Sequence, residues 1–162
     1  MRISVSCWIW SLGSVFAKYF CPSNHRPVSP ISSAASKISP ISDLYFSGEE
    51  PNFTPLLHPN GSTFRKAVWQ ILLEIPYGQT ITYGEIARRI AVMKNTSHMS
   101  AQAVGGAVGH NEISIIIPCH RVVGTNGSLT GYAGGIDKKI SLLKLEHTDM
   151  SCLFIPKKGT AL

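Results

Sequence analysis

The most chemically pointed stretch of the chain is Pro118-Cys119-His120-Arg121, running into Val122-Val123-Gly124. A cysteine does nucleophilic work as its thiolate, and cationic neighbours lower a thiol pKa. A cysteine on a proline-led turn, with an imidazole and a guanidinium beside it, therefore has surroundings that favour thiolate. The competing reading is an inert buried cysteine, which is common. Adjacent residues in an extended chain point to opposite sides, so His120 need not touch the sulfur and could act through a water. The run before the turn, Ile113 to Ile117, is almost wholly apolar, which suits a buried extended segment.

The elements that must hold this turn lie upstream. From Asn60 onward, Phe64, Ala67, Val68, Ile71, Leu72 and Ile75 follow the i, i+3, i+4, i+7 pattern of a helix, with Ser62 or Thr63 as its cap. Pro76-Tyr77-Gly78 ends it. Thr82-Tyr83-Gly84-Glu85 has the spacing of a capping box and opens a second helix, with Ile86, Ala87 and Ile90 on its apolar side. A polar loop from Lys94 to His98 leads to Ser100, which can cap a third helix from Ala101 to Val108. Its residues are small, and Gly105-Gly106 inside it costs about 1 kcal/mol per glycine relative to alanine. Close approach of another backbone, protein or DNA, would explain the pair, and so would tight helix packing. Two short helices joined by a loop suit a helix-turn-helix.

Composition narrows the class. The chain has 162 residues, enough for one domain with or without an appendage. Hydrophobic residues make up 44% and charged residues 15%, which is globular and excludes a disordered or collagen-like chain. No apolar run reaches the roughly 18–20 residues that span a bilayer, so no membrane partner is expected. The formal charge is +6, from 15 Lys+Arg and 9 Asp+Glu. Residues 1–50 contribute +1 and the remaining 112 contribute +5, which points toward a polyanion without specifying one. Cys7, Cys21, Cys119 and Cys152 are far apart and form no CxxC, so neither a zinc ribbon nor a dense disulfide scaffold is expected. The first forty residues are rich in Ser and Pro. Met1 to Phe20 has some texture of a secretory signal, but Trp8 and Trp10 are bulky for one and no clean cleavage site precedes Lys18. A poorly specified or truncated N-terminal piece is the preferred reading.

Taken together, IPCHRVVG, SLTGYAGG and KKISLLKLE, preceded by VWQILLEIPYGQTITYGEIA and AQAVGGAVGHN, resemble the O6-alkylguanine–DNA alkyltransferases (methylated-DNA–protein-cysteine methyltransferases). The likeness covers about residues 43–162. It implies an α/β fold, mainly α, with a winged-helix-like helix-turn-helix active-site domain. The family's N-terminal ribonuclease-H-like domain would here be truncated or divergent. The implied organisation is 1–42 as that divergent segment, 43–60 as connector, 61–150 as DNA-binding and alkyl-acceptor domain, and 151–162 as tail.

The resemblance also implies roles. Cys119 would accept the alkyl group from guanine O6, and His120 would draw the thiol proton through a water. Glu146 would hold the imidazole tautomer, Tyr83 would donate toward guanine N3, and Asn111 would brace the turn before the active-site segment. Val122, Tyr132, Ala133, Gly134 and Gly135 would wall the base pocket, and Lys139 matches a family lysine. DNA would be met by Gln102, Ala103, Gly105 and Gly106, and Arg121 would support DNA phosphate or the loop. Gln102 stands where the family carries an arginine that fills the gap left by an extruded base, so flipping would be weaker here, or supported by Arg88, Arg89 or Lys94 contacting phosphates. Cys119 excludes the non-enzymatic relatives that carry tryptophan at that position.

The expected activity is single-turnover reversal of O6-alkylguanine in double-stranded DNA, with O4-alkylthymine left open as a second substrate. It would be carried out by a cytoplasmic monomer with no metal or organic cofactor. The alternatives are an alkylated-DNA binder with weak or no transfer, and a cysteine hydrolase or thiol-redox protein unrelated to DNA.

Overall fold

The computed structural model describes residues 41–157. Readings that fall on residues 1–40, including the signal-like stretch, Cys7 and Cys21, lie outside the described residues, as does the end of the tail. The chain divides into two compact units, Met1–Ser47 and Gly48–Leu162. In the first, residues 41–46 are helical. Ser47 closes those turns by donating its backbone N–H to Asp43 O at 3.0 Å.

The second unit is built on three helices: α1 (Thr63–Leu73), α2 (Tyr83–Met93) and α3 (Ala101–Gly109). Each begins where a short hydroxyl side chain satisfies an otherwise orphaned amide. Ser62 accepts from Arg65 N, Thr82 from Glu85 N and Ser100 from Ala103 N. Glu85, the expected second half of the capping box, pairs its carboxylate with Arg88 and Arg89. The apolar stripes meet in one core of Val68, Trp69, Leu72, Ile86, Ile90, Val104, Val108, Ile117 and Val122. Trp69 spans it and donates Nε1–H to Ala107 O at 2.9 Å, tying α1 to α3.

Two short strands bring distant segments together. β1 (Ile81–Thr82) and β2 (Val122–Val123) pair in parallel, Ile81 with Val122 and Thr82 with Val123. The pairing sets Tyr83, first residue of α2, beside the Cys119 turn just before β2. A fourth helix, α4 (Ile136–Leu145), packs Leu143 with Val123 and Leu129 in a second apolar cluster. No helix among the described residues is long and apolar enough to cross a membrane.

Residues 113–117 depart from the expected buried strand. They form a tight turn, with Ile117 N donating to Ile113 O at 3.0 Å and Ile115 at φ +76°. Ile117 is buried and residues 113–116 are only half-buried. The cause is Asn111, whose Oδ1 accepts Ile113 N at 3.1 Å while Nδ2 donates to Ile117 O at 2.8 Å. One amide side chain clamps both ends of the turn. That clamp holds a β-branched residue in a left-handed conformation costing on the order of 1–3 kcal/mol. Cys119–Arg121 is likewise a 3₁₀ turn and not extended chain, so its side chains fan around an axis and do not simply alternate.

Candidate active site

The sulfur lies inside the protein. Cys119 is 6% exposed, and Asn111 Nδ2 donates to its Sγ at 3.1 Å. Burial pushes the thiol pKa up. Hydrogen bonds from Asn111 and Ser114 and the charge of Lys139 pull the other way without prevailing. The expectation of a ready thiolate is therefore corrected: the resting sulfur is a thiol, because desolvation outweighs its polar neighbours.

The next residue is buried deeper still. His120 is fully buried, with Nε2 at 2.7 Å from Glu146 Oε1. Glu146 is the residue just after α4, packed with its side chain out of solvent. Burial alone would raise its pKa, but hydrogen bonds from His120 and Arg121, with their charges, outweigh that and hold it at about 2. An ionised carboxylate can only accept, so the neutral ring carries its proton on Nε2 and Nδ1 is the basic nitrogen. Burial lowers the imidazole pKa and Glu146 opposes the shift only in part. The resting pair is a thiol and a neutral imidazole.

Arg121 requires a second correction. It was expected to reach DNA, yet it is 9% exposed and turned inward. Nε donates to Glu146 Oε2 at 2.7 Å, Nη2 to Oε1 at 3.0 Å and Nη1 to Ile75 O at 2.6 Å. With three of its donors committed to buried acceptors, the guanidinium faces the interior and not a surface that phosphate could reach. Tyr77 lies across it, ring centroid 5.6 Å from the guanidinium carbon.

Around the sulfur stand Tyr83, Tyr132 and Lys139. Burial and then the charge of Cys119 push Tyr83 up to about 12 and Tyr132 upward as well, which places both within electrostatic reach of the sulfur. Tyr83 Oη donates to Gly131 O at 3.2 Å. Lys139 is fully buried, with Nζ donating to Val122 O at 2.6 Å and Thr130 O at 2.7 Å. Burial lowers its pKa to about 8, against the pull of Cys119. Val122 is a core residue of β2. Ala133 and Gly134 are exposed on the loop before α4, and a Cβ on Gly134 would meet the Tyr132 ring at 2.8 Å. Glycine there leaves room for that ring.

The third helix separates the small residues that the sequence presents as one group. Gly105 is buried against the core, whereas Gln102, Ala103, Gly106 and Gly109 are exposed. A Cβ added at Gly106 or Gly109 would meet nothing within 4 Å. Gly105 answers to packing, and Gly106 does not. Arg88 and Arg89 pair with Glu85 on the surface, and Lys94 sits over the Phe64 ring at 5.0 Å.

Sequence reasoning missed two functional features. Ser114 reaches the thiol only because of the 113–117 turn, and no pattern announces it. Arg121 is a carboxylate clamp, and only the distance to Glu146 reveals that. No group of three or more His, Cys, Asp or Glu that could hold a metal occurs among the described residues.

Comparison with known proteins follows the same line. Residues 63–148 match the family described as 6-O-methylguanine DNA methyltransferase, DNA binding domain. The chain is 54% identical over 104 residues to a Methanosarcina acetivorans methylated-DNA–protein-cysteine methyltransferase, covering 64% of each. It is 52% identical over 106 residues to the Mycobacterium tuberculosis protein of the same name, covering 65% of this chain and 61% of that one. It thus spans less than two thirds of the length of these curated relatives. The crystal structure of Mycobacterium tuberculosis OGT in complex with DNA superposes with a TM-score of 0.62 at 49% identity, covering 68% of this chain and 66% of that one. With the family's domain spanning more than half of its length, the chain belongs to the 6-O-methylguanine DNA methyltransferase family.

Proposed function

We propose that this protein repairs O6-alkylguanine in double-stranded DNA by a single, irreversible transfer of the alkyl group to its own Cys119. The observation that carries the reading is a buried Cys119 thiol held by Asn111, followed in the chain by a neutral His120 backed by an ionised Glu146, inside a domain of this family. That is an activated nucleophile with an oriented base. His120 Nδ1 takes the thiol proton through a water, and the positive charge that develops is answered by Glu146. Sulfur attacks the alkyl carbon, the S–C bond forms as the C–O6 bond breaks, and the electron pair passes into guanine. Tyr83 offsets that charge by donating toward N3, exchanging its present acceptor, Gly131 O. The alkyl group comes from DNA, so the reaction balances without a cofactor.

Recognition in this scheme belongs to residues 61–150, with α2 and α3 as the helix-turn-helix of a winged-helix-like domain. The exposed face of α3, bearing Gln102, Ala103 and Gly106, enters the duplex, and the damaged nucleotide leaves the stack for a few kcal/mol. Tyr132, Ala133, Gly134 and Val122 border the pocket that receives it, and the protein acts as a cytoplasmic monomer. The test is incubation with a duplex containing O6-methylguanine, then peptide mass analysis. One added methyl on Cys119 is expected. Tight binding of the lesion duplex with no methyl on Cys119 would establish the lesion-binding alternative instead.

A further inference from the structure

The Arg121 clamp does more than hold the fold. Glu146 follows the C-terminus of α4, the end of a helix that disfavours an anion, and it is buried, so its charge needs a counter-charge. Among the described residues His120, through Nε2, and Arg121, through Nε and Nη2, touch it and could supply one. The Gly78 amide adds a neutral donor at 3.4 Å from Oε2. The choice between the two cations matters chemically. If the imidazole supplied the charge it would already be protonated, and it could not take a proton from Cys119.

We propose that Arg121 is a positioning residue of the transfer reaction: its bidentate grip supplies the counter-charge of Glu146 and so keeps His120 neutral, with its proton on Nε2. The inference deepens the function proposed above and rests on it for the reaction, but not for the protonation of the ring. Among the described residues, the groups that act on His120 are Glu146 at the end of α4, Lys139 within α4 and Arg121 in its own turn, with Cys119 adjacent in the chain. Tyr77, on the connection from α1 to β1, faces Arg121 and Glu146. Lys139 is committed to Val122 O and Thr130 O, so Arg121 is the cation that grips the carboxylate. Its planar fork matches both oxygens, which a lysine cannot do.

The experiment compares the full-length wild type with Arg121→Gln and Arg121→Lys. One readout is an NMR titration of the His120 ring nitrogens, and the other is the single-turnover rate with O6-benzylguanine as a function of pH. Wild type is expected to show a neutral ring, protonated on Nε2, at neutral pH. Arg121→Gln is expected to raise the His120 midpoint by about one unit, with its rate near pH 6 falling roughly tenfold below its own alkaline plateau. Arg121→Lys, which restores the charge, is expected to return most of the wild-type profile at a lower rate. An Arg121→Gln protein that folds and titrates like wild type would overturn the proposal and leave Arg121 a merely structural residue. Should that variant not fold, the wild type decides alone: an imidazolium at neutral pH means that Glu146 draws its charge from the ring, which also overturns it. A wild type that transfers no alkyl group defeats the proposed function while leaving the titration result to stand by itself.

Discussion

Two regions of this domain solve opposite problems. Around Cys119 the polar groups are bound to one another at short range: Asn111 to the sulfur, His120 to Glu146, Glu146 to Arg121, and Lys139 to two carbonyls. On the outer face of α3, Ala103, Gly106 and Gly109 offer solvent almost no side chain, and Gln102 is the long side chain beside them. The first region is largely preorganised, as the catalytic role proposed above requires. The second is mostly smooth, which suits the close approach to a duplex proposed above. Damage to the first should therefore appear on every substrate and often in stability. Damage to the second should appear only when the substrate is a duplex.

The largest expected effect is at the sulfur. Cys119→Ser should lower alkyl transfer by roughly four orders of magnitude or more, on duplex and free base alike, because no other group can take its part. Its duplex affinity, read by fluorescence anisotropy, should stay within about twofold of wild type, since phosphate contacts dominate such affinity and Cys119 is buried, off the α3 face. A large loss of binding would mean that the two regions are not separate.

Glu146→Gln should come next. Removing one partner of a buried pair leaves Arg121 uncompensated, at about 3 kcal/mol of stability. The pH signature has a definite sign. The Glu146 pKa is depressed from its ordinary value of 4.5 to about 2, so its stabilisation is fully present above about 4.5 and is lost as pH falls toward 2. Urea unfolding over that window should show an acid-side slope in wild type that is diminished in Glu146→Gln. Identical slopes would show that the carboxylate is not held by its partners.

Gly78→Ala probes the same carboxylate from behind. Gly78 has φ +71°, and a Cβ there would lie 2.7 Å from Glu146 O. The substitution should cost about 1–3 kcal/mol and slow transfer from free base and duplex by the same factor. Thermal unfolding and the two rates check it. A duplex-specific effect would contradict the assignment of this turn to the chemical region.

Much of this was legible in the residues. The three caps at Ser62, Thr82 and Ser100 and the apolar stripes between them fix α1 to α3, because capping and periodicity are local properties. Cys119, His120 and Glu146 fall in recognisable blocks, and the structure brings them together. What could not be read is what depends on distance through space. An apolar run such as Ile113–Ile117 is the same string in a strand and in a turn, and the decision was made by the side chain of Asn111. An arginine is usually a surface residue, so nothing local tells that Arg121 spends its donors on Glu146 and Ile75 O. The direction of the Cys119 pKa was misread for a related reason. Charged neighbours are visible in sequence, whereas the burial that outweighs them is not.

The smallest effect, and the one that sharpens the comparison most, is at Gln102. This residue lies exposed in the first turn of α3, on the face assigned to the duplex and away from the buried chain of hydrogen bonds. A glutamine there can hydrogen-bond an orphaned cytosine, but it brings neither charge nor a broad planar surface. A guanidinium brings both, and it can stack in the gap or pair with a phosphate. Gln102→Arg should therefore speed repair of a duplex lesion by about three- to tenfold, within the roughly 0.5–1.5 kcal/mol net that a single hydrogen bond contributes. Reaction with free O6-benzylguanine needs no extrusion and should be unchanged. Paired single-turnover rates on the two substrates make the measurement. Equal changes in both would mean that residue 102 communicates with Cys119 and that the two regions are coupled. A slower duplex reaction would mean that glutamine is already suited to this surface, and that the exposed face of α3 holds the stack open by its smooth backbone and not by the side chain at its tip.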